Sequence, residues 1–190
     1  MKLVKILLGL AAAALLGGIL FVYLGVFDVA ADVPHSMPFY QLMTTVRERS
    51  IAVRARRIEV PPLEDAALII AGAANYNDMC TGCHLKPGVE GSLLRDGMYP
   101  QPPNLTKVKR PNPAETFRII KHGVKMSGMP AWGPTHDDKQ LWSMVAFLQQ
   151  LPRLTPAQYE ILTARSEGEM AGHAHDSTEM KDMEVKGGLR

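Results

Sequence analysis

An uncharged, mostly apolar run extends from Ile6 to Phe27, behind Lys2 and Lys5. Its 22 residues, wound as an α-helix, are long enough for a hydrocarbon core of about 30 Å. The pattern predicts a transmembrane helix within residues 1–27. A secretory signal has a shorter apolar centre, roughly 7–15 residues. Val29-Ala30-Ala31 imitates a cleavage site, but the length of the run favours a retained anchor. Lys2 and Lys5 predict a cytoplasmic N-terminus, with the rest of the chain across the membrane in the periplasm.

Residues 28–64 read as a linker and juxtamembrane helix. Pro34 and Pro38 break the first part. Phe39, Leu42, Met43, Val46 and Val53 then lie on one helical stripe, interrupted by Arg49 and Ser50. Arg47, Arg49, Arg54, Arg56 and Arg57 make the segment basic, as suits a helix on anionic lipid, one docking a partner, or a solvated spacer. Pro61-Pro62 marks its end.

A different rhythm sets in over residues 65–153. Leu68, Ile69, Gly72, Tyr76 and Cys80 recur at helical spacing, and Gly72 on that face predicts a close crossing with a second helix. A further helix is delimited by its ends: Asn112 as cap, Pro113 in the first turn, Glu115 behind it and Gly123 as terminator. Another follows His136-Asp137-Asp138, with Leu141, Met144, Val145 and Leu148 inward and Pro152 beyond its end. Between them lie Gly- and Pro-rich loops, notably Pro100-Gln101-Pro102-Pro103. No stretch alternates as a strand does, so the fold class is mainly α. A domain this small with such long loops buries little apolar surface alone. It therefore needs a large apolar ligand at its centre, and the apo domain is expected to fold poorly.

The net charge of +2 does not suggest a nucleic-acid partner. The regional balance is more telling. Lys and Arg number 10 against 6 acidic residues over residues 66–153, and 4 against 7 over residues 154–190.

Both cysteines of the chain fall in Cys80-Thr81-Gly82-Cys83-His84. This spacing is the attachment signature of a c-type haem. One turn presents two thiols to the same porphyrin edge, and His84 follows as an axial ligand to iron. A zinc knuckle would need further ligands at compatible spacing, and His35, His122, His136, His173 and His175 are scattered. A redox dithiol would need a βαβ setting. One covalent haem c is the expected cofactor.

The second axial ligand is expected from Lys125-Met126-Ser127-Gly128-Met129-Pro130. A thioether favours reduced iron and raises the potential. Met129 is the first choice, because Gly128 and Pro130 define a sharp turn around it, and Met126 is the competitor.

With these residues in view, residues 65–153 resemble a class I cytochrome c domain: three or more helices and long loops around one covalent haem. Gly72 and Tyr76 sit where that family has its N-terminal helix crossing, Gly128-Met129-Pro130 resembles its axial-Met loop, and Ala146-Phe147-Leu148 falls in its C-terminal helix. Pro103-Asn104-Leu105 resembles the family's Pro-Asn-Leu segment. That resemblance implies that the Pro103 carbonyl accepts the ring N–H of His84. The chain as a whole is similar to bacterial membrane-anchored monohaem cytochromes. The insert between His84 and Pro103, with Tyr99 and Gln101, departs from the pattern.

Residues 154–190 read as an acidic tail, helical at first and partly disordered beyond Ser166. His173 and His175, with nearby methionines, form a weak candidate site for a soft metal such as copper. A solvating tail is the simpler interpretation.

An electron carrier in the inner membrane, rather than an enzyme, is the expected function. Its partners would be redox proteins, such as membrane-bound subunits of a dehydrogenase or terminal oxidase. Lys107, Lys109, Arg110, Lys121 and Lys125 suit an acidic docking partner. A haem enzyme or gas sensor with a displaceable Met ligand is the alternative, as is copper handling by the tail.

Overall fold

A computed structural model describes residues 1–30, 32–109 and 112–170. All regular elements among the described residues are helical. In chain order they are α1 (Lys2–Tyr23), α2 (Met37–Ala55), α3 (Ala66–Met79), α4 (Thr81–His84), α5 (Leu93–Asp96), α6 (Pro113–His122), α7 (Asp138–Gln150) and α8 (Pro156–Met170). A short 3-10 turn, Leu151–Arg153, joins α7 to the segment before α8.

Local chemistry sets the helix ends. Asp65 caps α3 by accepting from the Ala67 amide at 2.9 Å. Asn112 caps α6 through the Glu115 amide. Asp137 and Gln140 form a reciprocal capping box at the start of α7. Gly123 ends α6 with φ +63°, a conformation that costs glycine little.

The core is built on the crossing of α3 and α7. A Cβ on Gly72 would lie 1.9 Å from the Ser143 carbonyl oxygen, so the two backbones meet directly at this point. Around the crossing, Tyr76, Leu141, Met144, Val145, Phe147 and Leu151 are fully enclosed. The Tyr76 and Phe147 rings pack at 5.4 Å, in the range favoured by aromatic pairs.

Two arrangements differ from the pattern read along the chain. The packed unit continues past Arg153, where the sequence reading ends the domain. Helix α8 covers a second flank of α3, Tyr159 is fully buried beside Phe147, and its hydroxyl lies 3.0 Å from Asn77 Oδ1. Helix α2 forms, but its covered side takes in only part of the expected stripe, Phe39 and Met43. It packs against α6. Tyr40, Thr44, Arg47, Ile51 and Ala55 are also covered, while Leu42, Val46 and Val53 stay exposed.

Helix α1 has no buried residue and is the one described helix long and apolar enough to cross a membrane.

Candidate functional site

Helix α3 runs directly into the Cys-x-x-Cys-His turn, which forms α4. The turn is closed by the Cys83 and His84 amides donating to the Cys80 carbonyl at 3.2 and 2.8 Å. Both cysteines are half-buried and no disulfide joins them. Burial, and after it the neighbouring Cys83, pushes the Cys80 thiol up to about 12. A redox dithiol relies on a stabilised thiolate, and this environment does the opposite. Gly82 carries the Ser92 hydroxyl on its carbonyl, and a Cβ there would meet the Leu94 side chain at 3.3 Å.

The chain leaves α4 through Leu85, a buried non-glycine residue at φ +66°. Two elements hold this unfavourable backbone in place. The Tyr76 hydroxyl donates to the Leu85 carbonyl at 2.6 Å, and the Leu105 amide donates to the His84 carbonyl at 3.2 Å. Burial, with a smaller effect of Cys80, raises the Tyr76 phenol far above its ordinary range, so it remains a donor at any working pH.

His84 Nδ1 lies 2.9 Å from the Pro103 carbonyl oxygen. A carbonyl only accepts, so Nδ1 carries the proton and Nε2 keeps its lone pair. The donor set suits a c-type haem: paired thiols on one turn, and an imidazole held in the tautomer that ligates metal through Nε2. Removing one thiol gives a direct test. Cys83→Ala is expected to mature in lower yield with a single thioether, read as an unsaturated side group in the pyridine haemochrome spectrum.

The methionine loop hangs from the C-terminal end of α6. The Val124 amide donates to the Met129 carbonyl at 3.2 Å, and the Met129 amide donates to Ser127 Oγ at 3.2 Å. The Trp132 and Gly133 amides reach back to the Ile120 and Lys121 carbonyls at 3.1 and 2.9 Å. A Cβ on Gly123 would sit 2.7 Å from the Met129 carbonyl oxygen, so the loop folds tightly over that glycine. Met129 is half-buried and packs against the core, whereas Met126 is 80% exposed and has φ +61°.

The insert after His84 contains α5. It is tied to the histidine's partner segment by Arg95 Nε, which donates to the Pro102 carbonyl at 3.1 Å. Its tip, Met98 and Tyr99, is half-buried. Sequence spacing carried no signal for α5 or for this tip.

Of the basic residues named for docking, Lys107 pairs with Glu90 at 2.7 Å and Lys121 with Asp138 at 2.5 Å. Lys109 and Lys125 are exposed. Arg110 lies outside the described residues, as do His173 and His175 of the tail. No cluster of metal-binding side chains occurs among the described residues.

Residues 67–148 match the family model described as cytochrome C oxidase, cbb3-type, subunit III. Neither a curated protein nor a solved structure shows a match to the chain.

Proposed function

Since residues 67–148 are a class I c-type cytochrome domain, whose cofactor is covalent haem c, we propose that the protein is a membrane-tethered single-electron carrier with His84 and Met129 as iron ligands. Haem c, when bound, supplies one iron that cycles between ferric and ferrous states. Cys80 and Cys83 would hold it covalently, so it would not be lost by dissociation. The Pro103 carbonyl orients His84 and raises its basicity. Met129 would supply the second iron ligand, and with both ligands bound the iron would offer no open position to a substrate.

The observation that carries this reading is the contrast within the methionine loop. Both backbone groups of Met129 are hydrogen-bonded and its side chain is tucked against the core, while Met126 points to solvent. A residue whose backbone is fixed in this way suits a ligand better than an exposed one.

Helix α1 is the proposed anchor in the cytoplasmic membrane, with the haem domain in the periplasm, where c-type maturation takes place. The packing of α2 on α6 keeps the domain next to its anchor, which favours a fixed subunit over a long-tethered shuttle. The family description supports a terminal oxidase as the complex served, although a dehydrogenase has the same electrical needs. Exposed Lys109 and Lys125 suit an acidic partner.

Carbon monoxide separates this reading from a haem enzyme or gas sensor. The ferrous protein in mild detergent is expected to bind it no faster than the Met129 loop opens, and the ferric protein to show the weak far-red band of Met-ligated iron. Immediate stoichiometric binding would show an open iron and reject the carrier. Co-purified oxidoreductase subunits would identify the complex.

A further inference from the structure

The tip of the insert lies between two parts of the molecule that are far apart in sequence. A Cβ placed on Gly128 would lie 3.0 Å from Met98 Sδ and 3.1 Å from its terminal methyl. Met98 thus fills the space that a side chain at position 128 would take, immediately before Met129. The next residue, Tyr99, packs on a different segment. Its ring lies 5.5 Å from His35, edge to face, and 6.4 Å from Tyr40. His35 in turn packs on Phe39 at 5.1 Å. Two consecutive residues therefore join the juxtamembrane segment to the methionine loop.

A second connection runs in parallel. Helix α2 packs on α6, and the last turn of α6 holds the same loop through the Ile120 and Lys121 carbonyls. The juxtamembrane segment thus connects to the loop along two routes, beside the loop's own bonds between Val124, Ser127 and Met129.

We propose that Met98 and Tyr99 are positioning residues for Met129, through which docking of the juxtamembrane segment holds the axial loop shut. This rests on the reading of Met129 as the iron ligand. Met98 packs on the loop at Gly128, and its task is steric: it blocks movement of the Gly128–Met129 peptide into the space it fills. Tyr99 keeps Met98 in place by being wedged among the aromatic rings of residues 35–40. The membrane-proximal segment is then part of the haem site, and its displacement would open the iron without unfolding the domain.

The test uses the full-length holoprotein in mild detergent and reads two properties: the rate of carbon monoxide binding to the ferrous form and the far-red band of the ferric form at sub-denaturing guanidinium. Met98→Ala is expected to speed binding roughly tenfold, the size expected when one packed side chain is lost from a local opening equilibrium. It should also lose the band at lower guanidinium. Met98→Leu should restore both, because shape is what is needed, and Tyr99→Ala should accelerate binding as Met98→Ala does. Gly128→Ala disturbs the same contact from the loop side and should behave likewise if Met98→Ala gives no holoprotein. Met129→Ala marks the fully open limit. A Met98→Ala or Gly128→Ala protein with the parent's rate and band overturns the positioning role while Met129→Ala still removes the band. A Met129→Ala protein that keeps the band overturns the ligand assignment itself, and this proposal with it.

Discussion

Replacing Met129 by alanine is expected to lower the midpoint potential by on the order of 0.1 V, within the roughly 0.8 V over which axial ligands set haem potentials. A thioether is a soft donor that stabilises ferrous iron more than ferric, and alanine offers no donor at all. The change should be electronic rather than architectural. The bonds that shape the loop, Val124 N–H to the Met129 carbonyl and Met129 N–H to Ser127 Oγ, use the backbone of residue 129 and survive the substitution. The far-red band should vanish, and the ferrous protein should bind carbon monoxide on mixing. Redox titration with parallel spectra checks all three. Met126→Ala is the comparison. Its side chain is 80% exposed, so potential and band should stay near those of the parent. Loss of the band in Met126→Ala, with retention in Met129→Ala, would exchange the two roles.

Gly72→Ala is expected to be the most damaging single-methyl change in the domain, costing about 3 kcal/mol or more. The added carbon would sit 1.9 Å from the Ser143 carbonyl oxygen and 2.4 Å from its carbon. These are backbone atoms of α7, with no rotamer to escape into, so the two helices must separate. Separation at this point loosens Tyr76, Met144 and Phe147 together. It also loosens the Tyr76 hydroxyl that supports Leu85 at its positive φ, one residue after His84. Guanidinium unfolding of the holoprotein, followed by both helical and haem absorption signals, should show a lower midpoint with little change in slope. Gly97→Ala provides the contrast. A Cβ there meets the Leu93 carbonyl oxygen at 3.6 Å, an ordinary contact, and stability should scarcely move. A parent-like midpoint for Gly72→Ala would mean that the crossing is looser than its geometry indicates.

The legible features of this chain share one property: their physical requirements are met within a few residues. Two thiols and an imidazole must occupy one turn to serve one porphyrin, so Cys80, Cys83 and His84 stand out in any fold. Helix ends need local partners, and Asn112, Asp137 and Gly123 take those positions in the structure. Gly72 is the exception: a glycine on an apolar helical face signals a crossing, but its partner, the Ser143 backbone, lies in a distant helix. Pro103 was legible only through family resemblance. Nothing in its neighbourhood states that its carbonyl faces a ring 19 residues away.

What the sequence determined by itself was the haem turn, the long apolar N-terminal helix and the all-helical character of the domain, because covalent spacing, span length and 3.6-residue periodicity are properties of contiguous chain. Tertiary structure alone decided which face of α2 is covered, that α8 completes the core through Tyr159, and that Met98 and Tyr99 lie between the juxtamembrane segment and the methionine loop. Those outcomes depend on which surfaces remain once α3 and α7 have closed on each other. Contacts between residues tens of positions apart leave no periodic trace in either segment. Leu42, Val46 and Val53 stay exposed although they are more apolar than Thr44 and Arg47 on the covered side, so hydrophobicity alone does not choose the face.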